Sequence, residues 1–379
     1  MSKRNKRIFL SDVHISTIPE IEPPKHDYTW LQQKDADAFT NFLKYINARQ
    51  DVEEVIFIGD LFDNWVIPHN INPPTIDEII TERKRKNDPV IQALFDLCQN
   101  PDIRVVCLPG NHDMDLTQDT VRAHFGNEKN EKGGMIFGGT AFWNAGSSVY
   151  RSSRLLAEHG SAHAMFNAPD PSNDPGSRLP LGYYISRIVA TRTYNTGHGD
   201  RHWWTYTDDM LEMIGPEKFA PAVFEAIMEE AKLDLDTTEF SMPKRNGQNV
   251  SIKAKEISER FQNLYDQWKE RVGAGIAFKS VLAEIGYLDD AADRLCKKND
   301  TNIVIFGHSH DWVLDKDTWF VDDRIYANCG TWCDSPGKKW TYVEIETIRG
   351  KGGNKRFVSV YEWTGKDSGK ILKRDEVSL

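Results

Sequence analysis

The sequence contains no apolar run that approaches the ~20 residues needed to cross a bilayer. Its first seven residues are basic, but only three apolar residues follow them before the first cluster of candidate site residues. That is too few for the hydrophobic segment of a signal peptide. We therefore expect a cytoplasmic protein without a transmembrane segment.

Cysteine is scarce and lacks the spacing of a metal knuckle. The five cysteines are odd in number and mostly lie within apolar runs. Three residues separate Cys329 from Cys333, but no second pair matches them, so a zinc knuckle is not expected. We interpret the five as reduced thiols, and we expect none of them to contribute to a metal site.

Basic residues are fewer than acidic ones, with 47 Lys and Arg against 57 Asp and Glu. The formal charge is −10 at pH 7, which argues against a basic surface that wraps nucleic acid. In contrast, 39% of the 379 residues are hydrophobic, so the chain can bury a large core. This length indicates either two domains or one domain with a large insertion.

A recurring pattern is present instead: a short hydrophobic run ends in polar side chains that can bind metal. Such runs, bounded by turn residues, are typical of buried strands. The polar residues that follow the five runs are, in chain order, Asp12 and His14; Asp60 and Asp63; Asn111, His112 and Asp113; His159; and His308 and His310. Because ligands of open α/β proteins bind at the carboxyl edge of the sheet, we expect these residues to form one site there.

The chemistry of these side chains indicates a pair of metal ions. Aspartate and asparagine supply hard oxygen ligands and histidine supplies nitrogen, a mixture that suits Mn²⁺, Fe or Zn²⁺ better than Ca²⁺. A carboxylate such as Asp60 can bridge two ions. His112 can donate a proton to a leaving oxygen, and either Asp63 or Asp113 can orient its imidazole. At the position of His159, His198 is an alternative ligand.

The remaining pattern predicts the organisation of the chain. The apolar spacing predicts a helix over residues 35–49, and Asp88 followed by Pro89 is typical of a helix N-terminus. Residues 181–298 are helical in pattern with little strand signal. We expect three parts: a core at 1–167 and 299–365, an inserted helical cap at 168–298, and a loose, charged tail at 366–379.

In their order, the motifs D-x-H, G-D-x-x-D, G-N-H-D, H-G and G-H-x-H resemble those of the calcineurin-like metallophosphoesterase family. The resemblance implies an α/β (α+β) fold, a four-layer α-β-β-α sandwich, here with the helical cap inserted. It implies that one ion is held by Asp12, His14, Asp60 and His310, and the other by Asp60, Asn111, His159 and His308. It also implies that His112 is the catalytic imidazole and is paired with Asp63. Asn328–Thr331 matches the N-x-G-[ST] strand end of these enzymes.

Two features distinguish between the branches of the family that the chain resembles. Asn64 and Trp65 follow Asp63 where the protein Ser/Thr phosphatases have Arg-Gly, which disfavours that branch. The inserted helical segment is placed as in the bacterial UDP-diacylglucosamine hydrolases, the members closest in layout. The interval from His159 to His308 is longer than in those enzymes, so their substrate is not carried over.

The expected function is hydrolysis of a phosphomonoester, phosphodiester or diphosphate, in which a hydroxide that bridges two metal ions attacks phosphorus. We expect Mn²⁺, with Fe or Zn²⁺ as alternatives. The expected substrate is a phosphorylated small molecule or a lipid-linked one. Two other functions stay open: a Mn²⁺-dependent nuclease, which the net charge disfavours, and a catalytically inactive binding scaffold on the same fold. The oligomeric state stays undetermined.

Overall fold

The structure is a computed structural model, and it describes most of the chain. The described residues are 4–126, 133–139, 148–170, 179–197, 215–245, 248–317, 323–333, 337–350, 353–365 and 368–378. Within these ranges the strands are β1 (Lys6–Leu10), β2 (Val52–Ile58), β3 (Arg104–Leu108), β4 (Met135–Phe137), β5 (Tyr150–Ser152), β6 (Leu155–Ala157), β7 (Glu239–Arg245), β8 (Gln248–Lys253), β9 (Ile303–Phe306), β10 (Trp312–Asp317), β11 (Arg324–Cys329), β12 (Thr341–Gly350), β13 (Gly353–Trp363) and β14 (Gly369–Ser378).

The helices alternate with the early strands and dominate the middle of the chain. In the same described ranges they are α1 (Gln33–Ala48), α2 (Ile76–Arg85), α3 (Pro89–Cys98), α4 (Gln118–Phe125), α5 (Leu181–Thr196), α6 (Pro216–Glu230), α7 (Ala254–Phe261), α8 (Leu264–Val272), α9 (Ala274–Leu282) and α10 (Asp289–Asn299). Short 3₁₀ turns are formed by Ser161–His163 and Ala283–Ile285.

Two sheets contain all but two of the described strands. The larger sheet has the order β14-β13-β12-β1-β2-β3-β4, and the smaller sheet has the order β10-β11-β9-β6-β5. β1, β2, β3 and β4 are parallel to one another, and β6, β9 and β11 are parallel in the other sheet. Because parallel strands end at the same edge, the segments that follow β1, β2, β3, β6 and β9 emerge on one side of the molecule.

Three hydrophobic clusters establish four layers. The cluster between the sheets joins residues such as Phe9 and Ile56 of the larger sheet to Ile305 of the smaller one. The outer face of the larger sheet packs against α1 to α4 through residues such as Phe42. The outer face of the smaller sheet packs against α10 through residues such as Ala292. The predicted α-β-β-α sandwich is therefore confirmed.

Local sequence signals set several helix boundaries. Asp88 caps α3 by accepting hydrogen bonds from the backbone N–H groups of Val90 and Ile91, and Pro89 occupies the first turn, as predicted. α1 coincides with the helix predicted over 35–49. The sequence interpretation did not anticipate α2, although Thr75 and Glu78 form a capping box at its start.

Within its described residues, the inserted segment is mainly helical, as predicted, but it also contains two strands. β7 and β8 form an antiparallel hairpin between α6 and α7. The helices of this segment share a hydrophobic cluster with residues that precede it, including Trp65 and Phe166. The division into a core and an inserted cap stays a prediction.

The tail is not loose as expected, because residues Gly369–Ser378 form the edge strand β14 and pair antiparallel with β13. Most of its side chains are exposed and several are charged, which is typical of an edge strand that avoids pairing with other chains. Backbone pairing with β13 holds this strand in place, together with Val377 and Leu372, which pack against the cluster between the sheets. Among the described residues, no helix is both long enough and apolar enough to span a membrane.

Candidate metal centre

The predicted site residues lie together at the edge where the parallel strands end. Strand pairing aligns these ends, since Leu10 pairs with Phe57 and Ile58 pairs with Leu108. Contacts then link the seven predicted ligands and the two predicted catalytic residues in one cluster: Asp12, His14, Asp60, Asp63, Asn111, His112, His159, His308 and His310. The rival His198 lies outside the described residues.

One group of donors surrounds Asp12. Nε2 of His14 lies 3.2 Å from Nε2 of His310, and Nε2 of His310 lies 3.3 Å from Oδ1 of Asp12. That oxygen is buried and has no hydrogen-bond partner among the described residues. Unsatisfied buried oxygen atoms are costly, and the two imidazole nitrogens that face each other can either share a proton or bind a common cation. A cation fits this arrangement.

A second group of donors lies on the other side of Asp60. Nε2 of His159 is 3.1 Å from Oδ2 of Asp60 and 3.0 Å from Oδ1 of Asn111. Nδ1 of His159 lies 3.1 Å from the carbonyl oxygen of Ile58, to which it donates, so Nε2 remains available. The ring of His308 lies against that of His159, with centroids 5.3 Å apart. Histidine ligands in metal sites commonly donate their second nitrogen in this way.

Asp60 is positioned between the two groups. Its Oδ2 lies 3.1 Å from His159 and 3.9 Å from Nε2 of His14, while its Oδ1 accepts a hydrogen bond from the backbone N–H of His112 at 2.8 Å. The hydrogen bond fixes the carboxylate, so one of its oxygens faces donors of both groups. This is the geometry expected of a bridging carboxylate.

Five of the predicted ligands adopt left-handed backbone conformations. Asp12, His14, Asp60, His308 and His310 have φ angles between 51° and 73°. Each such residue costs about 1–3 kcal/mol and persists only where its surroundings hold it. Backbone hydrogen bonds supply that support, since the N–H groups of Val13 and His14 both donate to the carbonyl of Asp60.

Two glycines allow the loops to approach closely. A Cβ atom at Gly110 would collide with the carboxylate of Asp60, and one at Gly307 would collide with Ser11 and with the carboxylate of Asp12. These contacts explain why glycine occurs at both positions. A larger residue at either position would displace one of the two carboxylates.

Asp63 orients two imidazoles at once. Its Oδ2 accepts hydrogen bonds from Nδ1 of His14 at 2.9 Å and from Nδ1 of His112 at 3.0 Å. Its Oδ1 accepts from the backbone N–H groups of Trp65 and Val66. In both histidines the second ring nitrogen therefore remains to act in the site.

Asp113 has a different role from Asp63. Its carboxylate accepts hydrogen bonds from the backbone N–H groups of Asp60, Phe62 and Gly110. Of the two candidates for orienting His112, the structure therefore pairs Asp63 with the imidazole. Asp113 instead ties together the loops that follow β2 and β3.

Two tryptophans enclose the His112 imidazole. Its ring lies 4.5 Å from that of Trp65 and 5.3 Å from that of Trp30, measured between centroids. Trp30 also contacts the rings of His14 and His310, so the segment between β1 and α1 reaches the site. These contacts limit the orientations that the imidazole can adopt.

The electrostatics favour ionised carboxylates. Burial opposes the charge on Asp12, yet the neighbouring imidazoles of His14 and His159 hold its pKa well below the usual value. Burial likewise opposes the charge on Asp63, but the nearby His112 and His14 lower its pKa. Both carboxylates are therefore ionised at neutral pH, and Asp12 can bind a cation.

The net effect of burial and neighbouring charges is to lower the pKa of His308 but to raise the pKa values of Asp113 and His14. Burial and the neighbouring His159 lower the pKa of His308 to about 3, so this imidazole is neutral and its lone pair is available. Burial and the charge of Asp60 raise the pKa of Asp113 to about 7. Burial opposes protonation of His14, but Cys333, Asp12 and Asp63 raise its pKa well above the usual value.

Sequence reasoning missed a chain of amides behind Asn111. The amide nitrogen of Asn111 donates to Oδ1 of Asn167 at 3.2 Å, and the amide nitrogen of Asn167 donates to Oε2 of Glu284 at 2.7 Å. The backbone N–H of Phe166 donates to the other oxygen of Glu284. This chain turns the carbonyl oxygen of Asn111 toward His159. Asn167 and Glu284 belong to no motif, so no sequence pattern indicated them.

Sequence reasoning placed no thiol at the site, but one cysteine lies beside the Asp12 group. The sulfur of Cys333 and one nitrogen each of His14 and His310 all lie within 4.8 Å of one another. The reason is that the chain after β11 folds back beneath the first loop, where the backbone N–H of Trp332 donates to the carbonyl of Asp12. The three residues between Cys329 and Cys333 gave no indication that Cys333 lies beside His14 and His310.

A pocket opens over the two groups of donors. Helix α5 contributes one wall of it. The lining residues are Trp30, Asp60, Asn111, His112, Asn167, Gly182, Ser186, Val189, His308 and His310. A molecule that reaches the donors therefore also contacts the inserted helical segment.

Comparisons with known proteins agree with the motif pattern. A profile of the family described as calcineurin-like phosphoesterase matches residues 6–224, which is more than half of the chain. No curated protein matches the chain.

Several solved structures align with nearly the whole chain, but with low sequence identity and low TM-scores. Vps29 from Chaetomium thermophilum is 8% identical over 99% of this chain and 97% of its own, with a TM-score of 0.34. GAP50, described as the anchor in the inner membrane complex of Plasmodium, is 9% identical over 99% and 89%, with a TM-score of 0.36. A predicted phosphoesterase from Streptococcus pneumoniae is 11% identical over 99% and 98%, with a TM-score of 0.30. No functional conclusion is drawn from similarities of this size.

Replacing Asn167 by Leu should weaken metal binding by about 10–100-fold, because partners behind a ligand typically contribute that much to affinity. Asn167→Leu leaves the Asn111 amide without its acceptor, so its carbonyl oxygen is no longer held toward His159. The measurement is a titration of metal-depleted protein with Mn²⁺ or Zn²⁺ by calorimetry.

The matched control is Asn302→Leu, which removes another buried asparagine amide, one that donates to the carbonyl of Ser378 far along the chain. It should lower stability without changing metal affinity. Equal losses of affinity in both variants would show that Asn167 has no specific effect on the site.

Proposed function

Because the chain belongs to the calcineurin-like phosphoesterase family, we propose that it is a hydrolase of phosphate esters or anhydrides that works with two divalent ions. The observation that carries this proposal is the carboxylate of Asp60, whose Oδ2 faces His14 on one side and His159 on the other. The proposed ligands of one ion are Asp12, His14, Asp60 and His310, and those of the other are Asp60, Asn111, His159 and His308. Their oxygen and nitrogen donors fit Mn²⁺, Fe or Zn²⁺.

When bound, two ions of this kind supply hydroxide near neutral pH and offset the charge of phosphoryl oxygens. The protein provides the arrangement in which that chemistry takes place. Asp12 and Asp60 stay ionised in a buried setting, and His308 stays neutral. The strained loops hold these donors in position before any substrate arrives, which is what catalysis by preorganised charge requires.

In this proposal His112 acts on the leaving group. Its Nδ1–H donates to the carboxylate of Asp63, and its ring also lines the pocket. The second ring nitrogen can therefore donate a hydrogen bond or a proton to the oxygen that departs from phosphorus. Trp30 and Trp65 pack against the ring and limit its orientation.

The pocket favours a substrate whose phosphoryl group can reach the donors, either at the end of the molecule or at a slender part of it. Its wall includes Gly182, Ser186 and Val189 of α5, so the substrate also contacts the inserted segment. We propose a phosphorylated small molecule or a lipid-linked diphosphate, bound from the side of that segment. The net charge of −10 disfavours a nuclease.

A substrate panel tests the proposal. Metal-depleted protein is assayed with added Mn²⁺, Zn²⁺ or Fe²⁺ on a nitrophenyl monoester, a bis-nitrophenyl diester, a UDP-sugar and single-stranded DNA. We expect hydrolysis of at least one of the first three, and its loss by about 10³-fold in Asp60→Asn, corresponding to about 4 kcal/mol of transition-state stabilisation. Cleavage of DNA alone would favour a nuclease, and activity that Asp60→Asn leaves intact would contradict the proposal.

Asp63→Asn should lower kcat/KM by about 10²–10⁴-fold, the range that a positioned acid or base contributes. The four N–H groups that now donate to Asp63 need two acceptor oxygens, and asparagine offers only one. His14 and His112 would then lose their orientation together. The measurement is steady-state hydrolysis of the best substrate from the panel, together with metal content.

The control for this variant is Asp115→Asn, since the carboxylate of Asp115 accepts from the Asn64 amide instead of an imidazole. We expect it to change kcat/KM by less than about threefold. A similar small change in Asp63→Asn would rule out the proposed pairing with His112.

A further inference from the structure

The donor group around Asp12 contains a residue outside the proposed ligand set. Cys333 is buried, and its sulfur lies within 4.8 Å of ring nitrogens of His14 and His310. The chain reaches this position through the segment after β11, which the family motifs describe only as far as Thr331. Sulfur is thus close to nitrogen donors in a part of the molecule that already holds two buried carboxylates.

The segment that carries Cys333 is anchored to the first loop. The hydroxyl of Thr331 donates to the carbonyl oxygen of Asp12 at 3.0 Å, and the backbone N–H of Cys333 donates to the same hydroxyl at 3.2 Å. The backbone N–H of Trp332 also donates to the carbonyl of Asp12. Cys333 and Asp12 are therefore held relative to each other by three hydrogen bonds.

A second, independent observation points to a ligand at this position. Oδ1 of Asp12 is fully buried and has no hydrogen-bond partner within the described part of the chain. It is 3.3 Å from Nε2 of His310, and that nitrogen is 3.2 Å from Nε2 of His14. One carboxylate oxygen thus lies beside two imidazoles, and the sulfur lies within 4.8 Å of a ring nitrogen of each.

We propose that Cys333 is a further ligand of the ion held by Asp12, His14 and His310. Before metal binds, the thiol proton is shared with the Thr331 hydroxyl, whose oxygen lies 3.1 Å from the sulfur. The thiol loses this proton to solvent as the sulfur–metal bond forms. The inference rests on the metal centre of the proposed function and deepens it by naming the class of metal. A thiolate selects Zn²⁺ or Fe²⁺ over Mn²⁺ at this position.

The other cysteines provide the contrast. Cys98, Cys107, Cys296 and Cys329 are also buried, but they belong to hydrophobic clusters of the core. Cys98, for example, packs in α3 beneath the larger sheet. It is a suitable control because it is a buried thiol that belongs to the helical layer and not to the edge where the donors converge.

Cobalt substitution tests the proposal directly. Metal-depleted full-length protein is loaded with Co²⁺, whose bond to a thiolate gives a charge-transfer band in the near ultraviolet, separate from its visible bands. We expect the band in the wild type and in Cys98→Ser. We expect Cys333→Ser to bind Co²⁺ without the band, and to lose at least about tenfold in Zn²⁺ affinity relative to Mn²⁺, since even partners behind a ligand contribute that much.

The outcomes separate this inference from the proposed function. If the wild type binds Co²⁺ without a charge-transfer band, or if the band persists in Cys333→Ser, Cys333 is not a ligand and the two-ion centre stands. If the wild type binds no Co²⁺ and no other divalent ion, the inference and the proposed function both fail. Cys333→Ala repeats the test in case serine at this buried position prevents folding, which circular dichroism would reveal.

Discussion

Buried charge around Asp60 is the constraint on which the rest of the site depends. Asp12, Asp60 and Asp63 are almost fully buried and yet stay ionised. Removing carboxylates from water costs several kcal/mol each unless opposite charge and hydrogen bonds compensate. The imidazoles and backbone N–H groups around them compensate in part, and a pair of divalent cations would complete the balance.

The fold makes this concentration of charge possible by placing strand ends together. Parallel pairing of β1 with β2 and β3, and of β6 with β9, brings five loops to one edge. The hydrophobic cores on both faces of each sheet fix the strands, so the loops can hold strained conformations without moving. The five proposed ligands with positive φ illustrate this rigidity, because such strain persists only where the surroundings hold it.

Sequence patterns predicted much of this arrangement, for a physical reason. Each run of apolar residues that ends in Asp, Asn or His marks both a buried strand and the point where it leaves the core. Asp60 and His308 were identifiable in this way, as was the cap of α3 at Asp88. What the patterns could not give are contacts between segments that have no motif. Asn167 and Cys333 reach the site only through tertiary folding, and β14 pairs through its backbone while its side chains are mostly charged.

The central claim is that two cations lie on either side of Asp60, and anomalous scattering from crystals grown with Mn²⁺ or Zn²⁺ tests it most directly. The account predicts two peaks about 3.5–4 Å apart, both within bonding distance of the Asp60 carboxylate, with His14 beside one and His159 beside the other. No peak in this region, or ions that do not touch Asp60, would contradict it.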